Sequence, residues 1–149
     1  MSVLVIGIGH PYRRDDAVGL RVADRVADLG LGHVVVLHHH GEGTDLMARW
    51  RGYSAVVLVD ATCGGGPAGE VRHWDDPATV PATCFPKGSH VFGVGEALAL
   101  ASVLGELPPR MRIIGIEGAD FSAGEGMDDA VSQSVDAALI LVINFISRK

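Results

Sequence analysis

Residues 3–19 constrain the fold more than any other stretch. They read Val-Leu-Val-Ile-Gly-Ile-Gly-His-Pro-Tyr-Arg-Arg-Asp-Asp-Ala-Val-Gly. Four apolar, mostly β-branched residues (3–6) have the length of a buried strand; Gly7, Gly9 and Pro11 end it. Asp15 and Asp16 follow, just before helical periodicity begins at Ala17. One aspartate there is expected to cap the helix N-terminus and meet its dipole. The second is spare, and it falls at the carboxyl end of a first strand, where open α/β sheets build their sites.

The same alternation continues along the chain. A first helix is expected over residues 16–29, with Val18, Val22, Val26 and Leu29 as its buried stripe. A second strand follows at 34–37, ending in His38, His39 and His40. A short helix over 45–51 leads to a third strand at 55–59, closed by Asp60. Residues 70–74 alternate and follow a glycine-rich loop closely, which predicts an antiparallel or edge strand. The long connection 75–88, with three prolines, reads as a functional loop or lid gripping an extended peptide. Ser89 is expected to cap a helix running to Leu104 through Val91, Leu98 and Val103. A last strand at 111–116 and a final helix at 128–146 complete the chain, the latter with a stripe of Val131, Val135, Ala138, Val142 and Phe145. Strands alternating with helices predict a single α/β domain spanning 1–149, with a mostly parallel sheet covered on both faces. The default order puts the first strand at the centre.

Composition narrows the function. The chain has 149 residues, a net charge of −6 and no Lys/Arg cluster, which argues against nucleic acid and membrane surfaces as partners. Two cysteines, Cys63 and Cys84, make no disulfide framework and fit a reducing cytosol. The apolar run 137–143 is too short to span a bilayer, and the N-terminus has no signal-peptide pattern. A cytoplasmic, monomeric protein is expected.

In such a sheet Asp16, Asp60 and His90 all reach the carboxyl edge. Two carboxylates and an imidazole suit a borderline divalent metal, and equally suit acid/base work on water. Each has an ordinary alternative: a helix cap, an acceptor for loop amides, a surface histidine. The His38–His40 run cannot bind one ion as a unit, because neighbours on a strand point to opposite faces; solvated strand-end histidines are expected. Tyr12 replaces the third glycine of a dinucleotide fingerprint, and the two acids would repel a pyrophosphate. No phosphate loop or nucleophile elbow occurs, and Cys63 is expected to be an inert thiol. Trp74, Phe85 and Phe92 bracket the long loop and form either an apolar groove or, as is commoner, part of the core; His33 and His73 are expected at surface or edge positions.

With these residues in view, the chain resembles the hydrogenase maturation proteases. The matching segments are Val5-Ile6-Gly7-Ile8-Gly9 with Asp15-Asp16-Ala17-Val18-Gly19, then Gly43-Thr44, Val57-Leu58-Val59-Asp60-Ala61, Ser89-His90 and the strand at 113–116. The resemblance implies a mixed, twisted five-stranded sheet with helices on both faces and one antiparallel strand. It implies an endopeptidase that trims the C-terminal extension of a nickel–iron hydrogenase large-subunit precursor. Asp16, Asp60 and His90 would be the metal-binding and catalytic residues. The nickel belongs to the substrate, so no permanent cofactor is implied. The chain departs from the family pattern at His10, which replaces an asparagine, and at His38–His40 with Glu42, which replace an acidic stretch. The competing expectations are a non-peptidase metal- or small-molecule-binding α/β module, and a conventional aspartic dyad, against which His90 argues.

Overall fold

The computed structural model describes residues 2–81, 83–86 and 90–148. The proposed cap Ser89, with Lys87 and Gly88, lies outside the described residues. Ten main elements follow one another: β1 (Val3–Ile8), α1 (Val18–Asp28), β2 (Val34–His39), α2 (Gly43–Trp50), β3 (Ala55–Thr62), β4 (Val71–Trp74), α3 (Val94–Leu104), β5 (Arg110–Glu117), α4 (Asp129–Gln133) and α5 (Val135–Ser147). One sheet takes them in the order β2-β1-β3-β5-β4. All pairs are parallel except β4 with β5, an antiparallel edge as the alternation of residues 70–74 implied. The centre is β3, not the first strand; β1 lies between β2 and β3. Both β1 and the eight-residue run of β3 are buried throughout, as strands covered on both faces must be, so burial along the strand does not decide which of them is central.

Period-two alternation sorts that run into two cores. Val57, Val59 and Ala61 face α1 and α5, while Val56 and Leu58 face α2 and α3. Each large aliphatic side chain fully buried this way contributes about 1.5–3 kcal/mol. The stripe expected of the last helix packs into the first core intact. α4 and α5 together form a stretch, Asp129–Ser147, apolar and long enough to cross a membrane, but 44% of it is buried against the protein. It divides at Ser134, whose hydroxyl donates to the Val131 carbonyl at 2.6 Å, a bond that competes with helical pairing.

Several expected details differ. Leu29 lies past the end of α1 and is 46% exposed. Residues 14–17 form a separate 3-10 turn rather than the first turn of α1. α3 begins at Val94, not at residue 89, because Gly93 serves as its N-cap and Glu96 reaches back to the Gly93 N–H at 2.9 Å. Its buried face is therefore Val94, Ala97, Leu98 and Ala101; Val91 and Val103 are exposed. Trp74, Phe85 and Phe92 all pack in the α2/α3 core, and Cys84 is buried beside them. The loop expected as a lid is thus anchored through Cys84 and Phe85.

Two glycines let α1 lie close on the sheet. A Cβ on Gly7 would meet the Gly19 carbonyl oxygen at 2.4 Å, and one on Gly19 would meet those of Val59 and Ile8 at 2.4 and 2.5 Å. This close approach sets the loop between β1 and α1 directly over the end of β3.

Candidate active site

The crevice between the carboxyl ends of β1 and β3 is where the connections diverge: the chain leaves β1 for β2 on one side, and β3 lies on the other. Asp16 reaches it from the 3-10 turn and Asp60 from the end of β3. Asp60 shares its strand face with Val56 and Leu58, so it points to the α2/α3 side. His90 comes from the short segment before α3, held in place by the Gly43 N–H donating to the Phe92 carbonyl at 2.8 Å. All three line one cavity of about 220 Å3, together with Gly9, His10, Arg13, His40 and Pro86.

The two adjacent aspartates have separate tasks, and neither caps α1. Asp15 is fully buried. Its carboxylate accepts from the N–H groups of Ala119 (2.7 Å), Asp120 (2.8 Å) and Asp128 (2.8 Å), so it clamps the loop after β5 against the loop after β1. Asp16 is the half-buried one facing the cavity, and it accepts from the His10 N–H at 2.9 Å.

Charge is costly here. Burial pushes the Asp60 carboxyl well above the usual range, and the Asp16 carboxylate pushes it further; one backbone N–H, from Ala61, opposes both. Burial also raises Asp16, offset in part by the His10 N–H and by Arg13. Such a pair favours a proton or a cation between its members. Arg13 is the sole Arg or Lys lining the cavity among the described residues, and its Nε donates to the Phe121 carbonyl at 3.4 Å.

The histidine run divides as strand geometry requires, but not all of it is solvated. His38 is exposed and meets Asp24 at 2.7 Å. His39 is buried: its Nδ1 accepts the Gly41 N–H at 2.9 Å, so its Nε2 is the donor to Asp45 at 2.7 Å. His40 stacks on His39 with ring centroids 4.8 Å apart and meets the His90 ring edge-on at 5.2 Å. His90 donates from Nε2 to the His40 carbonyl at 3.2 Å, which leaves its Nδ1 lone pair free. No three His, Cys, Asp or Glu among the described residues form a ready-made ligand set for a metal.

Burial and the charges of Glu117, Asp60 and Asp16 push the Cys63 thiol up, away from the thiolate form. Cys84 is pushed up to about 11. Sequence reasoning did not find Arg13, His40 or the buried Glu117, which takes the Thr62 hydroxyl at 2.7 Å and the N–H groups of Gly64 and Gly65. The signal for Glu117 was an acidic residue ending an apolar strand.

A sequence profile of the hydrogenase maturation protease family matches residues 24–145. The chain belongs to that family. It is a peptidase, as its relatives are. Asp60 and His90 fall within the matched span, whereas the Gly7–Asp16 motif precedes it. Among curated relatives, the hydrogenase expression/formation protein HupD of Thiocapsa roseopersicina is 25% identical over 99% of this chain and 68% of its own length. The hydrogenase 2 maturation protease of Escherichia coli is 23% identical over 96% of this chain and 89% of its own. The solved structure of the hydrogenase maturating endopeptidase HybD from E. coli superposes with a TM-score of 0.77 at 20% identity, covering 97% of this chain and 91% of that one. It shares the fold.

Proposed function

We propose that this peptidase removes the C-terminal extension of a nickel–iron hydrogenase large-subunit precursor, in the cytoplasm, and reads the nickel that the precursor carries through Asp16, Asp60 and His90. The observation that carries the reading is the convergence of these three side chains on one small cavity at the divergence point of the sheet. The raised carboxyls of Asp16 and Asp60 support it further, since a divalent ion arriving with the substrate would relieve their mutual repulsion. The hydrogen bond from His90 Nε2 to the His40 carbonyl supports it too, because metal-binding imidazoles are held by such a bond on the other nitrogen.

In this reading the protein is an incomplete ligand set by design. The precursor supplies the ion and the ion's other ligands, so only loaded precursor docks in register. Asp16 and Asp60 then face the scissile peptide. One carboxylate orients water and accepts its proton, while Arg13 limits the build-up of negative charge. The fit to an alternative, a non-peptidase binding module, is poorer, since the chain belongs to a protease family.

The test is cleavage of nickel-loaded precursor by a His90→Ala variant that keeps its fold. Loss of cleavage, with a shifted dependence on the nickel content of the precursor, is expected. Wild-type rates in that variant would contradict the role of His90.

A further inference from the structure

The cavity at Asp16 and Asp60 is too small for a peptide. Its 220 Å3 falls below the roughly 300–1,000 Å3 of ordinary ligand pockets, so a bound chain must leave it. Gly9 and His40, which line one side of the cavity, also line a wider groove of about 420 Å3. That groove runs along α1 and past the end of the edge strand β2. Leu20 and Met127 give it an apolar floor. Arg21, Asp24 and His38 make its polar wall. Asp24 and His38 satisfy each other at 2.7 Å, whereas Arg21 has no hydrogen bond or ion pair among the described residues. The guanidinium of Arg21, beside an apolar trough, therefore has its N–H donors open to a carboxylate on a bound chain.

We propose that this groove seats the segment of the precursor's C-terminal extension that follows the cleaved bond. It would present an apolar side chain to Leu20 and Met127 and a carboxylate to Arg21. The inference rests on the peptidase reading above. The mature side of the bond carries the metal and fills the cavity at the two aspartates; the chain beyond the bond leaves through the opening bounded by Gly9 and His40. Because the contacts are remote from the reacting atoms, they bind ground state and transition state alike and act on KM.

The experiment uses a fluorescein-labelled synthetic peptide with the sequence of the extension, and the intact nickel-loaded precursor. Arg21→Glu is expected to weaken peptide binding, read by anisotropy, about tenfold or more, and to raise KM for the precursor similarly at unchanged kcat. Arg21→Lys should retain most of the binding. Met127→Glu, at a separate point of the groove, should weaken binding of the same peptide. Amidating the peptide's C-terminus, or replacing its acidic side chains by amides, identifies which carboxylate meets Arg21. Peptide binding unchanged in both Arg21→Glu and Met127→Glu, or no peptide binding by the wild-type protein, overturns the groove. Wild-type protein that binds the peptide yet cleaves loaded and nickel-free precursor equally leaves the groove standing and removes the metal reading instead.

Discussion

The two ends of the sheet are built for different purposes. At the amino end the connections are tight turns: residues 51–54 before β3, and residues 105–109 before β5, where Gly105 closes α3 in the left-handed conformation. A groove of about 410 Å3 opens there, lined by Trp50, Tyr53, Pro108 and their neighbours, and the ion pair across it, Arg51 with Glu106, is long (3.9 Å) and exposed. At the carboxyl end the cavity is smaller, yet Asp60, which lines it, and Asp15, His39, Thr62 and Glu117 at the same edge of the sheet are all buried. Volume therefore does not distinguish the functional end. Buried polar groups do, because burying them is costly unless each has a partner or a purpose. Asp15, His39 and Glu117 have partners; Asp60, beside Asp16 and met by the Ala61 N–H, is the one to which the proposed function gives a role.

Four changes would break or sharpen this contrast. The largest effect is expected from Asp60→Asn. Removing the most strained carboxyl should leave thermal stability unchanged or raised, while cleavage of loaded precursor falls by about 10³-fold, the scale of a lost preorganised charge. A variant that unfolds instead would make Asp60 a structural residue.

Next comes Asp15→Ala, which strands three backbone N–H groups. About 3 kcal/mol of stability should be lost, lowering Tm by roughly 6–12 °C in calorimetry. A small shift would mean that the clamp between the two loops contributes little.

The third effect depends on pH. His39 is held neutral by burial, below its ordinary value of 6.5, although Asp45 opposes this. The unfolded chain therefore takes up a proton before the native state does, and stability should fall as pH drops below about 6.5. Denaturant titrations at pH 7.5 and 5.5 should show that fall, and it should be reduced in His39→Gln. Equal slopes in the two proteins would remove His39 from the account.

The smallest effect is expected at the amino end. Glu106→Ala breaks an exposed ion pair and should change stability by no more than about 0.5 kcal/mol, with cleavage unaltered. Any large effect on cleavage would erase the distinction between the ends.

The architecture was legible because strand and helix periods are strong signals. The buried runs that became β1, β3 and β5 stand out, as do the stripe of α5 and the short alternation of β4. Strand order was not legible, since nothing local says which parallel strand is central; that depends on which helices cover which face. The start of α3 was obscured because Gly93 caps it, and glycine has no side chain to announce a cap. At the site, Asp16, Asp60 and His90 were readable by their positions at strand and helix ends, helped by the family resemblance. The division of labour between Asp15 and Asp16 was not, because Asp15's partners lie more than a hundred residues away at Ala119, Asp120 and Asp128. His39 escaped for a different reason: its partner Asp45 is close in sequence, but its burial depends on how α2 packs at the end of β2.

The account's central claim is that the carboxyl-end cavity reads a metal delivered by the substrate. Its most direct test is the rate of cleavage of one precursor in two forms, nickel-loaded and nickel-free, by the wild-type protein. The account predicts cleavage of the loaded form and none of the nickel-free form; equal rates for the two would contradict it.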